Sequence, residues 1–398
     1  MKKKHFVDIK NYVIKVRRHL HKYPELGNRE FKTTKFLEQE LNKFGIEVEK
    51  LTPTGVVGLI NSSGECKVVR RAKVKTIALR ADIDALPVTE ETKKPYASKI
   101  RGVMHACGHD ANTAIVLSTG VLLANNRERL NCNVKLIFQP NEETAGGARS
   151  FIDKGVLRNP PVDVILGIHV NPEVESGAIG IKYGEMFASV DKFEIQLIGD
   201  GGHAAMPHKS KDVISVAAKV IQEFETYRAR HVDPLSPMVI SVCAIHGGER
   251  FNVLAKDVKL TGTVRTLDER LHRRVREDIE KIVKEKSLLY GIRYKFNYEV
   301  IGYPLVNSEG VLSRVEELLR EVLPPDKIVK VKQPSLGGED FAEYLRYVPG
   351  AFIYIGTGNK KKPSTLYSWH HSKFDIDEDA LPKAVEVLYH IIVNFSLK

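Results

Sequence analysis

Short apolar runs alternate with helix-length segments between residues 55 and 169, and this alternation restricts the fold more than any other feature of the chain. Residues 55–59, 76–79, 134–138 and 162–169 have the length and apolar content of buried strands. Residues 110–125 are apolar nearly all round, with Ala114, Ile115, Val116, Leu117, Val121, Leu122 and Leu123, as a helix packed deep must be. Residues 144–154 read as a second helix. Strands and helices in alternation predict an α/β fold with a mainly parallel, mixed sheet. Positions 82–84, 107–109, 142–143 and 169 then fall at strand ends or just beyond, where open α/β sheets collect ligands. Ahead of the first strand, 7–25 and 29–45 carry helical spacing, broken at Tyr23-Pro24-Glu25-Leu26-Gly27.

From about residue 185 the pattern changes. Residues 192–199, 238–245, 258–267 and 293–300 alternate as strands; 212–227 and 271–290 have amphipathic helical spacing. The β-α-β-β-α-β order predicts a compact α+β insert with a four-stranded sheet and two helices. Helix–strand alternation returns after about residue 300. The expected organisation is one domain over 1–187 and 300–398, interrupted by a smaller one over 188–299.

With 42% hydrophobic and 28% charged residues in 398, the chain has the material for a sizeable core. The formal charge is +11, but the basic residues are scattered, and the runs at 2–4, 70–71 and 360–362 are short. A nucleic-acid binder concentrates its basic and aromatic residues on one element, so no nucleic-acid partner is expected. Cys66, Cys107, Cys132 and Cys243 form no CxxC pair. No apolar stretch of signal-peptide length follows the basic start, and no run approaches the roughly 20 apolar residues of a spanning helix. The expectation is a reduced, cytoplasmic chain with no membrane partner.

Chemistry concentrates in two places. Met104-His105-Ala106-Cys107-Gly108-His109 sets a soft and a borderline metal ligand two residues apart. Asn141-Glu142-Glu143 places adjacent carboxylates after an apolar strand, where one can hold metal and the other move a proton. Taken alone, Cys107 is more often a small buried hydrophobe, and His169 a satisfied core histidine.

These motifs resemble the M20 metallopeptidase and amidohydrolase family, in its aminoacylase-, hippurate-hydrolase- and auxin-conjugate-hydrolase-like branch. Further markers run in order: Arg18-His19-Leu20-His21, Arg80-Ala81-Asp82-Ile83-Asp84, Gly167-Ile168-His169, Gly202-His203-Ala204, Gly337-Gly338-Glu339-Asp340 and His370-His371-Ser372-Lys373-Phe374. The resemblance implies a zinc-peptidase-like catalytic domain interrupted by a lid that also dimerises. It implies two divalent metal ions per subunit, zinc with manganese or cobalt as alternatives, at Cys107, His109, Glu143, His169 and His370. Both His370 and His371 are candidates, and the family's spacing to Phe374 picks His370. Glu142 takes the general-base position. In related enzymes the counterpart of His203 crosses the dimer and polarises the scissile carbonyl, while Asn252 and Arg265 match positions that hold a substrate carboxylate. Asp82 or Asp84 is read as orienting a ligating histidine, and His19 and His21 as structural. Glu339-Asp340 either lines the pocket or caps the helix that follows. Asn112 and Ser372 stand where many relatives have His and Pro. The implied activity is hydrolysis of N-acyl-L-amino acids by a homodimer, or a tetramer. The alternatives are a carboxypeptidase on short or N-blocked peptides and an N-acetyl-diaminopimelate deacetylase.

Overall fold

The computed structural model describes residues 8–62 and 75–395, so Cys66 and the basic runs at 2–4 and 70–71 lie outside the described residues. The chain divides into two compact units. The first takes Met1–Gly184, Asn307–Lys332 and Glu343–Lys398, and the second Glu185–Val306 and Gln333–Ala342. Residues 333–342, expected with the last part of the first domain, therefore cluster with the second unit.

The first stretch contains α1 (Ile9–Lys22), α2 (Phe31–Lys43), β1 (Glu47–Glu49), β2 (Val56–Ile60), β3 (Thr76–Asp82), α3 (His109–Asn125), β4 (Asn133–Gln139), α4 (Gly147–Asp153), β5 (Val164–Glu175) and β6 (Ile179–Ile181). The middle contains β7 (Gly184–Phe187), β8 (Val190–Ile198), β9 (Gly202–His203), α5 (Val213–Arg230), β10 (Met238–Gly247), β11 (Val253–Leu254), β12 (Asp257–Thr266), α6 (Glu269–Leu289) and β13 (Arg293–Gly302). The chain then runs through β14 (Leu305–Asn307), α7 (Glu309–Val322), β15 (Ile328–Lys330), α8 (Ala342–Leu345), β16 (Gly350–Gly358) and α9 (Ala380–Asn394).

In the first unit eight strands form one mixed sheet, ordered β1-β2-β4-β3-β5-β16-β6-β15. Its centre, β4-β3-β5-β16, is parallel, and antiparallel pairs join β1 to β2 and β2 to β4. Every residue of β3 and β16 is buried, as a sheet covered on both faces requires. Helix α3 is buried through most of its length, and each fully buried Leu, Ile or Val contributes about 1.5–3 kcal/mol. Helix α1 is capped by Asp8, which accepts the Asn11 N–H, and buries Val13, Val16, Arg17, Leu20 and His21 along one stripe. Arg17 is fully buried and pairs with Asp110 at 2.8 Å, Asp375 at 3.1 Å and Glu378 at 3.2 Å. His21 sits between Asp110 and Glu90, as its structural reading requires.

Two elements differ from expectation. Strand β5 does not end at His169 but runs on to Glu175, because β16 continues to pair with it beyond the ends of β3 and β4. Helix α4 begins at Gly147 rather than at 144, because Asn141 (φ 56°) and Ala145 (φ 55°) take the left-handed conformation in a turn that precedes it.

In the second unit four antiparallel strands lie in the order β10-β12-β8-β13. Strand β8 alternates, burying Asp191, Phe193, Ile195 and Leu197, and these pack with Val216, Val220 and Phe224 of α5 and Val275, Ile279 and Val283 of α6. Asp212 and Asp268 cap the two helices by accepting backbone N–H groups. The α/β first unit and the α+β insert agree with the fold class expected. Among the described residues no helix is long and apolar enough to cross a membrane.

Candidate active site

Parallel strands place three chemical segments at one level. Asp82 closes β3 opposite Gln139, the last residue of β4. Arg80 pairs with Gly167, so Asp82 is level with His169 two residues further along β5. Asn141-Glu142-Glu143 follows β4, and Cys107-Gly108-His109 enters α3. Gly108 has φ 96°, and a Cβ there would lie 2.3 Å from Val170 Cγ2, so only glycine lets this loop bring Cys107 against β5.

The side chains converge. Ligand atoms of Cys107, His109 and His169 lie within 4.8 Å of one another; so do those of Cys107, Glu143 and His370, and those of His109, Glu142 and Glu143. Cys107 Sγ is 3.5 Å from His169 Nε2. His109 Nε2 faces Glu143 Oε1 at 3.8 Å and Glu142 Oε2 at 4.0 Å. His370 Nε2 is 3.6 Å from Glu143 Oε2. His370 has φ 66°, and its N–H donates to the Ala106 carbonyl, tying this loop to the one bearing Cys107. His371 points elsewhere: it stacks on Tyr367 and accepts the Lys373 N–H through Nδ1.

Neighbouring groups set the orientations. Asp84 meets His109 Nδ1 through its carbonyl (3.0 Å) and Oδ1 (3.2 Å), turning Nε2 into the cluster. Its Oδ2 accepts the Glu143 N–H at 3.0 Å. Asp82 receives Arg80 Nη1 and Asn112 Nδ2. Asn112 Oδ1 in turn accepts the Val170 N–H, so the amide that replaces the family's usual histidine bridges β3 and β5. His169 Nδ1 is held by the Val170 carbonyl, which also accepts Trp369 Nε1–H. Ser372 bonds Glu91, outside the cluster. Sequence reasoning missed Asn112 and Trp369 as supports because neither residue type advertises that role.

The donor set fits metal. His109 Nε2 and Glu143 Oε1 are buried, face each other and have no hydrogen-bond partner among the described residues. Stranding two polar atoms this way costs about 1–3 kcal/mol each unless a cation lies between them. Burial pushes the Cys107 thiol and the Glu143 carboxyl up and brings His169 down to about 4. A cluster of thiol, imidazole and carboxylate is the chemistry of borderline divalent ions.

The remaining candidates lie in the second unit. His203 is exposed on β9, its Nδ1 accepting the Ala205 N–H. Val253 pairs with His203 across β9–β11, and Asn252, just before that strand, accepts the Ala204 N–H through its carbonyl. Arg265 sits on β12; burial lowers its pKa, and its guanidinium has no hydrogen bond or ion pair among the described residues. Glu339 Oε1 accepts the Phe341 N–H in the turn ahead of α8.

Residues 78–394 match the family described as Peptidase family M20/M25/M40. The chain belongs to this family. This M20 protein is 37% identical over 396 residues to thermostable carboxypeptidase 1 of Saccharolobus solfataricus, covering 98% of this chain and 97% of that one. It is 37% identical over 383 residues to N-acetyl-L-cysteine deacetylase of Bacillus subtilis, covering 96% and 87%. Among solved structures, the Bacillus subtilis YXEP protein, a dinuclear metal binding peptidase from the M20 family, superposes with a TM-score of 0.82 at 33% identity, covering 97% and 98%. The M20 protein is accordingly a metal-dependent hydrolase of amide bonds with a place for two metal ions.

Proposed function

We propose that this M20 hydrolase cleaves the amide bond of N-acyl-L-amino acids. What supports the substrate class is the likeness to N-acetyl-L-cysteine deacetylase of Bacillus subtilis, and Arg265, a part-buried guanidinium, is assigned to take the free carboxylate of the amino acid. Asn252 is assigned to hold that carboxylate with it. Cys107, His109, Glu143, His169 and His370 would hold the two divalent ions, with zinc favoured by the thiolate and imidazoles. Divalent ions bound there would polarise the scissile carbonyl and would bring the pKa of a bound water down to about 7.

Glu142 lies beside His109 and Glu143 and is not assigned as a ligand. It takes the proton of the attacking water and delivers it to the leaving nitrogen. His203 stabilises the developing oxyanion from a second copy of the chain, which makes a homodimer through the 188–299 domain part of the catalyst. A donor of that kind is typically worth about 10²–10³ in rate. Asp84 keeps His109 and Glu143 oriented.

The test is amine release from N-acetyl and N-benzoyl amino acids and N-blocked dipeptides. It uses metal-stripped protein restored with zinc, manganese or cobalt, beside Glu142→Gln. Metal-dependent turnover of N-acyl amino acids that Glu142→Gln abolishes is the expected result. A preference for peptides would replace this reading with a carboxypeptidase, in line with the name of the Saccharolobus relative. Turnover that survives the substitution would remove Glu142 as the base.

A further inference from the structure

The turn between α1 and α2, residues 23–30, takes no part in the chemistry above, yet it is built against the site. Glu25 accepts the N–H groups of Lys32 and Thr33, and its carbonyl accepts the Ala85 N–H just beyond β3. Leu26 bridges to Ala85 as well. Glu30 stands at the N-cap of α2 but makes no side-chain cap bond there. Its side chain instead turns inward and is fully buried. Glu30 Oε1 accepts the N–H of Asn141 at 2.9 Å, across 111 residues of sequence.

Asn141 directly precedes Glu142, and its conformation decides where both glutamates go. It is left-handed at φ 56°, and Ala145 repeats that conformation at φ 55°. Between them the Ala145 N–H reaches the Glu142 carbonyl at 2.7 Å, and the Gly147 N–H reaches the Asn141 carbonyl at 3.1 Å. Non-glycine residues in this region cost of order 1 kcal/mol or more each, and they persist only where the surroundings over-determine them. Thr144 Oγ1 holds Asn141 Oδ1 on one side. Gly27 closes the other: a Cβ there would lie 2.3 Å from the same oxygen.

Glu30 is an expensive way to fill this space. Its Oε2 is buried with no hydrogen-bond partner among the described residues, and burial pushes its carboxyl up to about 7. A hydrocarbon side chain would avoid that cost. It would also leave the Asn141 N–H without an acceptor.

We propose that Glu30 is a positioning residue of the active site: by accepting the Asn141 N–H it holds the left-handed turn that sets Glu142 and Glu143 at the end of β4. This rests on Glu142 as the base proposed above.

The test compares Glu30→Leu, Glu30→Gln and Glu30→Leu combined with Asn141→Gly in the full chain, loaded with cobalt. Glu30→Leu should lower kcat by about 10–100-fold, the range for a lost supporting contact, with KM within about threefold. It should also alter the thiolate-to-cobalt absorption, since Glu143 moves with Glu142. Glu30→Gln should keep kcat within about fivefold of wild type, because its amide oxygen still accepts the bond. Asn141→Gly should recover most of the loss in the Leu background, because glycine takes a positive φ at no steric cost.

Wild-type kcat and cobalt spectrum in Glu30→Leu would overturn the proposal. A loss that neither Gln nor Gly recovers, in protein with native near-ultraviolet circular dichroism, would overturn it too. Should Glu30→Leu not fold, Glu30→Gln carries the test alone, and a large loss there would sink it. Glu142→Gln in the same assay separates the two readings. Activity surviving it removes the base, whereas activity surviving only Glu30→Leu removes the positioning role.

Discussion

Asp84 has two oxygens on two different jobs, one beside His109 Nδ1 at 3.2 Å and one receiving the Glu143 N–H at 3.0 Å. Asparagine keeps only one acceptor, so Asp84→Asn must release either the imidazole or the loop. It is expected to weaken metal binding about 10–100-fold, measured by competition with a chromophoric chelator. The two adjacent histidines make a sharper comparison. His370 lies near Glu143, whereas His371 is engaged with Tyr367 and the Lys373 N–H. His370→Ala should lose bound metal, and His371→Ala should keep the wild-type content; elemental analysis of the purified variants decides. The residue types that cluster at 107, 109, 142, 143 and 169 were legible because chemistry constrains residue identity there. The spacing to Phe374 already picked His370 over His371, but the φ of 66° with which His370 approaches Glu143 is something no composition rule anticipates.

At the scale of elements, β4 shows where periodicity misleads. Lys135 lies inside a strand that reads as apolar, yet it is buried, with Nζ donating to the carbonyls of Val156 and Pro160. Those carbonyls belong to the loop between α4 and β5, so the lysine staples that loop under the sheet. Burial brings its pKa down to about 8. Between that value and the ordinary 10.5 the unfolded chain binds more protons than the native one, so stability rises with pH across this window and is lowest below it. Lys135→Met should flatten the rise. The difference between wild type and variant, from urea unfolding at pH 7.5 and pH 10, should move toward wild type by of order 1 kcal/mol. The helices and most strands were readable because amphipathic spacing and apolar runs are local properties. The late start of α4 was not, since its cause is an acceptor on Glu30 that is distant in sequence.

For the whole molecule, metal binding and folding are linked, because the cluster joins the loop before α3, the start of α3, the loop after β4, the middle of β5 and the loop bearing His370. Ions that bind only the native state add about 2.7 kcal/mol per site at a hundred times Kd. Removing metal with a chelator should therefore lower Tm by several degrees and restoring it should reverse the change, read by scanning calorimetry. An unchanged Tm would mean that the cluster is held by protein contacts alone. The fully buried Arg17 with Asp110, Asp375 and Glu378 ties α1, α3 and the last segment together without metal, and it sets a floor for that loss.

The amino-acid sequence by itself determined the strand–helix alternation, the interruption by a four-stranded insert, the family, and the residue types that cluster at the site, because periodicity and side-chain chemistry are written locally. Only the tertiary structure decided that 333–342 cluster with the insert, that β5 outruns His169, and that Asp84 serves two ligands at once. It alone decided that Glu30 reaches Asn141. Each of these depends on pairing and hydrogen bonding between segments tens to more than a hundred residues apart, and no local pattern encodes which distant partner a given backbone N–H will find.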